Sequence, residues 1–153
     1  MQDRDSQETG MKTATIKRLE ALFAEFPILV AEGDGDDEIE ATEKKMGASF
    51  VADYRWFLRR YGGAMVRSLP VYGLRWSEVM GERTVFEVTN WFRDRGWKLA
   101  EELVVISEDG SGNPIGIAKD GRVWISEHDV GTPTVIADSF EDFLVGILDG
   151  RIM

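Results

Sequence analysis

The chain has 153 residues, with 18 Lys and Arg against 28 Asp and Glu, a formal net charge of −10. At 43% hydrophobic and 10% aromatic residues it can build a core, so wholesale disorder is excluded. It contains no cysteine and one histidine, His128. This excludes a disulfide framework, thiolate zinc sites, a cysteine nucleophile and any site needing two imidazoles. The acidity argues against a general nucleic-acid binder, which needs Lys and Arg to neutralise phosphate, and suits a basic partner.

Residues 1–12 are polar and read as a flexible leader, with 13–153 forming one domain. No apolar h-region of a signal peptide is present, and no apolar run approaches the roughly 18 residues of a membrane span. The expected compartment is the cytoplasm. From Thr13, the offsets of Ile16, Leu19, Leu22, Phe23 and Phe26 predict one face of a helix, closed by Pro27. Residues 32–43 hold seven acids and no base. Gly33 and Gly35 mark a loop, and Asp36 and Asp37 then sit where a helix N-terminus favours negative charge. Lys44 and Lys45 fall in that helix's last turn before Gly47.

Phe50, Tyr54, Phe57, Leu58 and Tyr61 predict a third helix, stopped by Gly62-Gly63. Strand-like stretches follow at 64–66 and 69–76, and Thr84, Val85, Val88, Trp91 and Phe92 return to helical spacing. Four short segments rich in Val and Ile, 103–107, 114–118, 122–126 and 134–137, then predict an antiparallel meander. Asp120-Gly121 supplies a hairpin turn between the second and third. Ser139, with Asp142 three residues on, caps a final helix whose core face is Phe140, Phe143, Leu144, Ile147 and Leu148. Helices segregated from an antiparallel meander give an α+β fold, a single antiparallel or mixed sheet with about four flanking helices.

Charge divides unevenly: residues 1–99 carry 15 bases and 17 acids, and residues 100–153 carry 3 bases and 11 acids. Asp109, Ser111, Asn113 and Asp120 have calcium-loop spacing. Pro114, however, stands where that loop requires a glycine, so a turn between strands explains the same residues. Glu127, His128 and Asp129 place the histidine between carboxylates. If the strand continues, the two acids share one face and acid–base chemistry is open to them; the alternative is a polar strand end. Arg55, Arg59 and Arg60, with Trp56 and Tyr61, allow a nucleic-acid face, but three arginines in so acidic a chain are better read as pairing with nearby acids. Trp56 is either peripheral core or an interface anchor. Core is favoured for Trp91. Alternation along 122–126 puts Trp124 on the face opposite Val123 and Ile125.

Two strings of residues resemble the SUKH superfamily, or Smi/Knr-like domain. The first is Ile39-Glu40, Met46-Gly47, Phe50, Asp53-Tyr54, Phe57-Leu58 and Tyr61-Gly62-Gly63. The second is Val105-Ile106-Ser107, Asp109 to Pro114, Asp120 to Trp124, Glu127-His128-Asp129, Ile136-Ala137 and Ser139-Phe140 to Phe143-Leu144. Ser49-Phe50 stands where Leu-Pro is usual in that family. The resemblance covers about residues 13–148 and implies an α+β binding protein without catalytic apparatus or cofactor. It implies a bacterial immunity protein that neutralises a basic toxin, such as a nuclease, or alternatively a regulatory scaffold. Membrane and nucleic-acid partners are not expected. The expected partner-binding residues are Asp109, Asn113, Trp124, Glu127 and Asp129 of the acidic hairpin half, with Trp56.

Overall fold

A computed structural model describes residues 11–128 and 131–153. Among the described residues there are six α-helices and six strands, and the fold is α+β. The helices are α1 (Thr13–Glu25), α2 (Asp36–Met46), α3 (Ala52–Tyr61), α4 (Val85–Asp94), α5 (Lys98–Glu102) and α6 (Phe140–Leu148); a 3-10 turn, Pro27–Leu29, follows α1. The strands are β1 (Ala64–Val66), β2 (Leu69–Val71), β3 (Val104–Glu108), β4 (Pro114–Ile117), β5 (Val123–Ile125) and β6 (Thr134–Ala137). None of the helices is long and apolar enough to cross a membrane.

The strands make two antiparallel sheets, a β1–β2 hairpin and a four-stranded meander in the order β3-β4-β5-β6. A bulge in β3 links them. Pairing with β4 skips Ile106, and the freed Ile106 carbonyl accepts the backbone N–H of Tyr72 at 2.8 Å. The Ser107 hydroxyl also donates to the Pro70 carbonyl at 2.5 Å.

Helix α3 is the centre of the core, because Tyr54, Phe57, Leu58 and Tyr61 recur on one face and are buried. Their rings meet neighbours edge-on: Tyr54 and Phe57 contact Phe140 of α6 at 5.2 and 5.5 Å, and Tyr61 contacts Phe23 of α1 at 4.8 Å. The buried Tyr54 hydroxyl donates to the Tyr72 carbonyl at 2.6 Å. The caps read from sequence are present. Gly47 and Gly62 adopt left-handed conformations after α2 and α3, and Ser139 Oγ accepts the Asp142 N–H at 3.0 Å.

Several expectations are corrected. Packing begins before Thr13, since Met11, placed in the leader, is fully buried; residues 1–10 lie outside the described residues. Phe26 lies beyond the end of α1 and is exposed. The strand expected over 69–76 stops at Val71, because the chain then crosses beneath Gly62 instead of continuing along β1; Arg75 N–H donates to the Gly62 carbonyl at 3.0 Å. Trp91 is 42% exposed. Val88, Thr89 and Phe92 take the buried face of α4, and the Trp91 ring is instead covered by the Arg95 guanidinium at 3.7 Å.

Candidate functional site

Strand β5 alternates as its sequence predicts: Val123 and Ile125 are buried, and Trp124 between them is only partly so. The Trp124 backbone lies opposite Gly116 of β4, and a side chain at 116 would collide with Leu99 and Leu103. Glycine there lets α5 and the residue after it sit on the sheet beside the indole. The result is a groove of about 410 Å³ with Leu99, Leu103, Trp124 and Pro133 among its apolar walls. Its charged lining is Glu101, Glu102 and Asp120 against Lys98 and Arg122. Arg122 bonds Asp120 at 2.8 Å and lies 5.5 Å from the Trp124 ring, so Glu101 and Glu102 outnumber the remaining lysine.

Asp109 and Asn113 form the turn between β3 and β4. Asp109 Oδ1 accepts the backbone N–H groups of Ser111 and Asn113, both at 2.9 Å, and Oδ2 accepts the Asn113 amide at 3.0 Å. Burial opposes ionisation of Asp109. The bonds from the Asn113 side chain and from the Asn113 and Ser111 amides outweigh it and hold the carboxyl below the usual range. These contacts fill the carboxylate with the loop's own donors, as the turn reading expects, with Gly112 at φ +81° where the calcium reading put a ligand loop.

Asn113 is buried and reaches further. Its Oδ1 accepts the His128 backbone N–H at 3.2 Å and lies 2.7 Å from His128 Nδ1. Because Oδ1 is an acceptor, Nδ1 carries the proton of that contact. The imidazole also meets Trp97 edge-on at 6.4 Å. Strand β5 ends at Ile125, so the condition for placing Glu127 and Asp129 on one strand face is not met. Glu127 is exposed, and Asp129 lies outside the described residues. Among the described residues no group of three or more histidine or carboxylate side chains is positioned to hold a metal ion.

Several acids of residues 100–153 have partners within the chain. Glu108 accepts from Arg83 and Tyr72, Asp120 pairs with Arg122, and Asp149 pairs with Arg18 and Arg151. Glu141 is buried at the start of α6. Trp56 is 6% exposed, with its ring edge-on to Tyr61 at 5.8 Å. It therefore stands in the core, one of the two readings its sequence position allowed. Arg55, Arg59 and Arg60 pair with Glu43, Asp36 and Glu20, as the acid-pairing reading expects.

A second cluster had no sequence signal. Arg75 bonds the buried carboxylate of Asp34 at 2.9 Å, Glu38 at 3.2 Å and Glu32 at 3.5 Å. Burial is the main effect on Asp34 and pushes its carboxyl up to about 6 against the pull of Arg75. Asp34 Oδ2 has no hydrogen-bond partner. The segments meet through glycines. A Cβ at Gly33 would lie 2.0 Å from the Arg59 carbonyl oxygen, one at Gly62 1.9 Å from that of Glu32, and one at Gly73 2.1 Å from that of Gly62.

Compared with known proteins, residues 35–146 match the model of the SMI1 / KNR4 family (SUKH-1). The match takes in α2 through most of α6, and so includes Trp124, the Asp109–Asn113–His128 contacts and Arg75. No curated protein matches the chain.

Proposed function

The chain belongs to the SMI1/KNR4 family (SUKH-1), and from that premise we propose that it is a non-catalytic, cytoplasmic protein-binding module of the immunity type. Its partner is a basic toxin domain, and Trp124 is the apolar anchor of the contact. The observation that carries this reading is the half-open indole in a groove whose other walls are aliphatic and whose charged lining favours carboxylates. Aromatic side chains seated in such pockets dominate binding energy. A nuclease must present Lys and Arg to phosphate, so Glu101, Glu102, the exposed Glu127 and Asp129 would steer its approach. Asp109 and Asn113 act one step back, holding the turn that positions His128 and Glu127. The alternative, a regulatory scaffold, uses the same surface without a toxin.

Co-purification with the product of a neighbouring toxin gene tests the reading. Trp124→Ala and Glu101→Lys are each expected to weaken that complex at least about tenfold, and Glu101→Lys to flatten its salt dependence. Unchanged affinity in both would refute the surface. A binding partner with no toxin activity would favour the scaffold.

A further inference from the structure

Phe26, Ile28, Trp76 and Val79 are each between 43% and 52% exposed, an unusual concentration of large apolar side chains at the surface. Ile28 and Trp76 line a single groove of about 470 Å³, formed by the segment after α1 on one side and Arg75 to Glu78 on the other. It shares no lining residue with the groove at Trp124. Two exposed carboxylates, Glu32 and Glu78, also line it. The one cation in its lining, Arg75, pairs with Glu32 at 3.5 Å but also with Asp34 and Glu38 outside the lining, so the carboxylates of the groove keep an excess of negative charge.

Both walls are fixed in place. Ala31 N–H donates to the Gly63 carbonyl and Arg75 N–H to the Gly62 carbonyl, each at 3.0 Å, across contacts that only glycine permits. A groove preformed in this way loses little conformational freedom when filled.

We propose that the groove between Ile28 and Trp76 is a docking site for a segment of a partner protein that carries a bulky apolar side chain flanked by lysine or arginine. The apolar side chain packs between Ile28 and Trp76, and the flanking cations meet Glu32 and Glu78. The site is independent of the Trp124 reading, since it rests on different residues and different observations.

The test is a titration of isotope-labelled protein, followed by amide and indole resonances, with the peptides acetyl-Lys-Lys-Phe-Leu-Lys-Lys-amide and acetyl-Glu-Glu-Phe-Leu-Glu-Glu-amide. The basic peptide is expected to shift Ile28, Glu32, the Trp76 indole and Ser77 saturably. Its affinity is expected to fall at least about tenfold in Trp76→Ala and in the Glu32→Lys, Glu78→Lys double variant. It is expected to be unchanged in Trp124→Ala. The side chains of Glu32, Trp76 and Glu78 are well exposed, so thermal midpoints near that of the parent chain certify folding, and Trp76→Phe should keep most of the affinity. Equal binding of the acidic peptide, shifts that map to the Trp124 groove, or no saturable shift overturns the proposal. So does concentration-dependent self-association that Trp76→Ala abolishes, which would assign the groove to a second copy of the chain.

Discussion

Asp53 Oδ2 accepts the backbone N–H of Glu141 at 3.0 Å, joining the first turn of α3 to the first turn of α6 across 88 positions of sequence. The Glu141 carboxylate continues the chain of contacts. Its Oε2 accepts the Lys12 backbone N–H at 2.9 Å and the Thr15 hydroxyl at 2.7 Å at the start of α1. A carboxylate from one helix thus caps the next helix, twice in succession. Burial pushes the Asp53 carboxyl up, against the bonds it accepts from the Glu141 and Tyr54 amides.

Removal of either cap is therefore expected to cost stability with little local rearrangement. Asp53→Ala should lose about 1–2 kcal/mol, and Glu141→Ala about 1–3 kcal/mol because it orphans a buried hydroxyl and an amide. Asp53→Asn, which retains an acceptor, should lose less. Urea unfolding midpoints at constant slope provide the check, and equal losses for Asp53→Ala and Asp53→Asn would argue against capping.

Asp34 predicts a pH dependence. Its folded carboxyl titrates near 6 and its unfolded one near 3.8, so the folded state holds the proton more tightly. Stability from this group is therefore greatest at low pH and is lost as pH rises from about 4 to about 6. Relative to Asp34→Asn, the parent chain should lose up to about 3 kcal/mol between about pH 4 and pH 7. Urea unfolding of both proteins across that range measures it, and a difference that does not vary with pH would contradict the assignment.

The glycine crossing predicts a contrast between two left-handed glycines. Gly47 has φ +65° and open space around it, so Gly47→Ala should cost about 1 kcal/mol. Gly62 has φ +71° and backbone 1.9 Å from its Cβ direction, so Gly62→Ala should cost more than about 3 kcal/mol or abolish folding. Comparable losses in the two variants, measured by thermal or urea unfolding, would show that conformation alone matters at both.

Much of the fold was legible because its signals are local. The Asp120-Gly121 turn, the Ser139 cap and the Gly47 and Gly62 stops each act within a few residues. The end of β2, the bulge at Ile106 and the five-residue helix α5 were not legible, because each depends on which segment lies alongside. Trp91 is exposed and Trp56 buried for a similar reason: flank positions of an amphipathic helix are settled by the neighbouring elements. The partial exposure of Trp124 was legible, because a strict two-residue alternation decides the face. The internal pairing of Glu108, Asp109, Asp120, Glu141 and Asp149 was not legible in the charge count, since it depends on which segments lie alongside. Nor does spacing reveal Arg75 with Asp34 and Glu38, which come together only through the glycine crossing.

That crossing also separates two demands on the same stretch of chain. Segments 31–34, 58–63 and 73–75 are fastened by main-chain bonds and by the absence of side chains at the points of contact. The exposed side chains beside them, such as Ile28, Trp76 and Glu78, take no part in those main-chain bonds. Substitution at these positions can therefore change the character of this surface while the frame beneath keeps its shape.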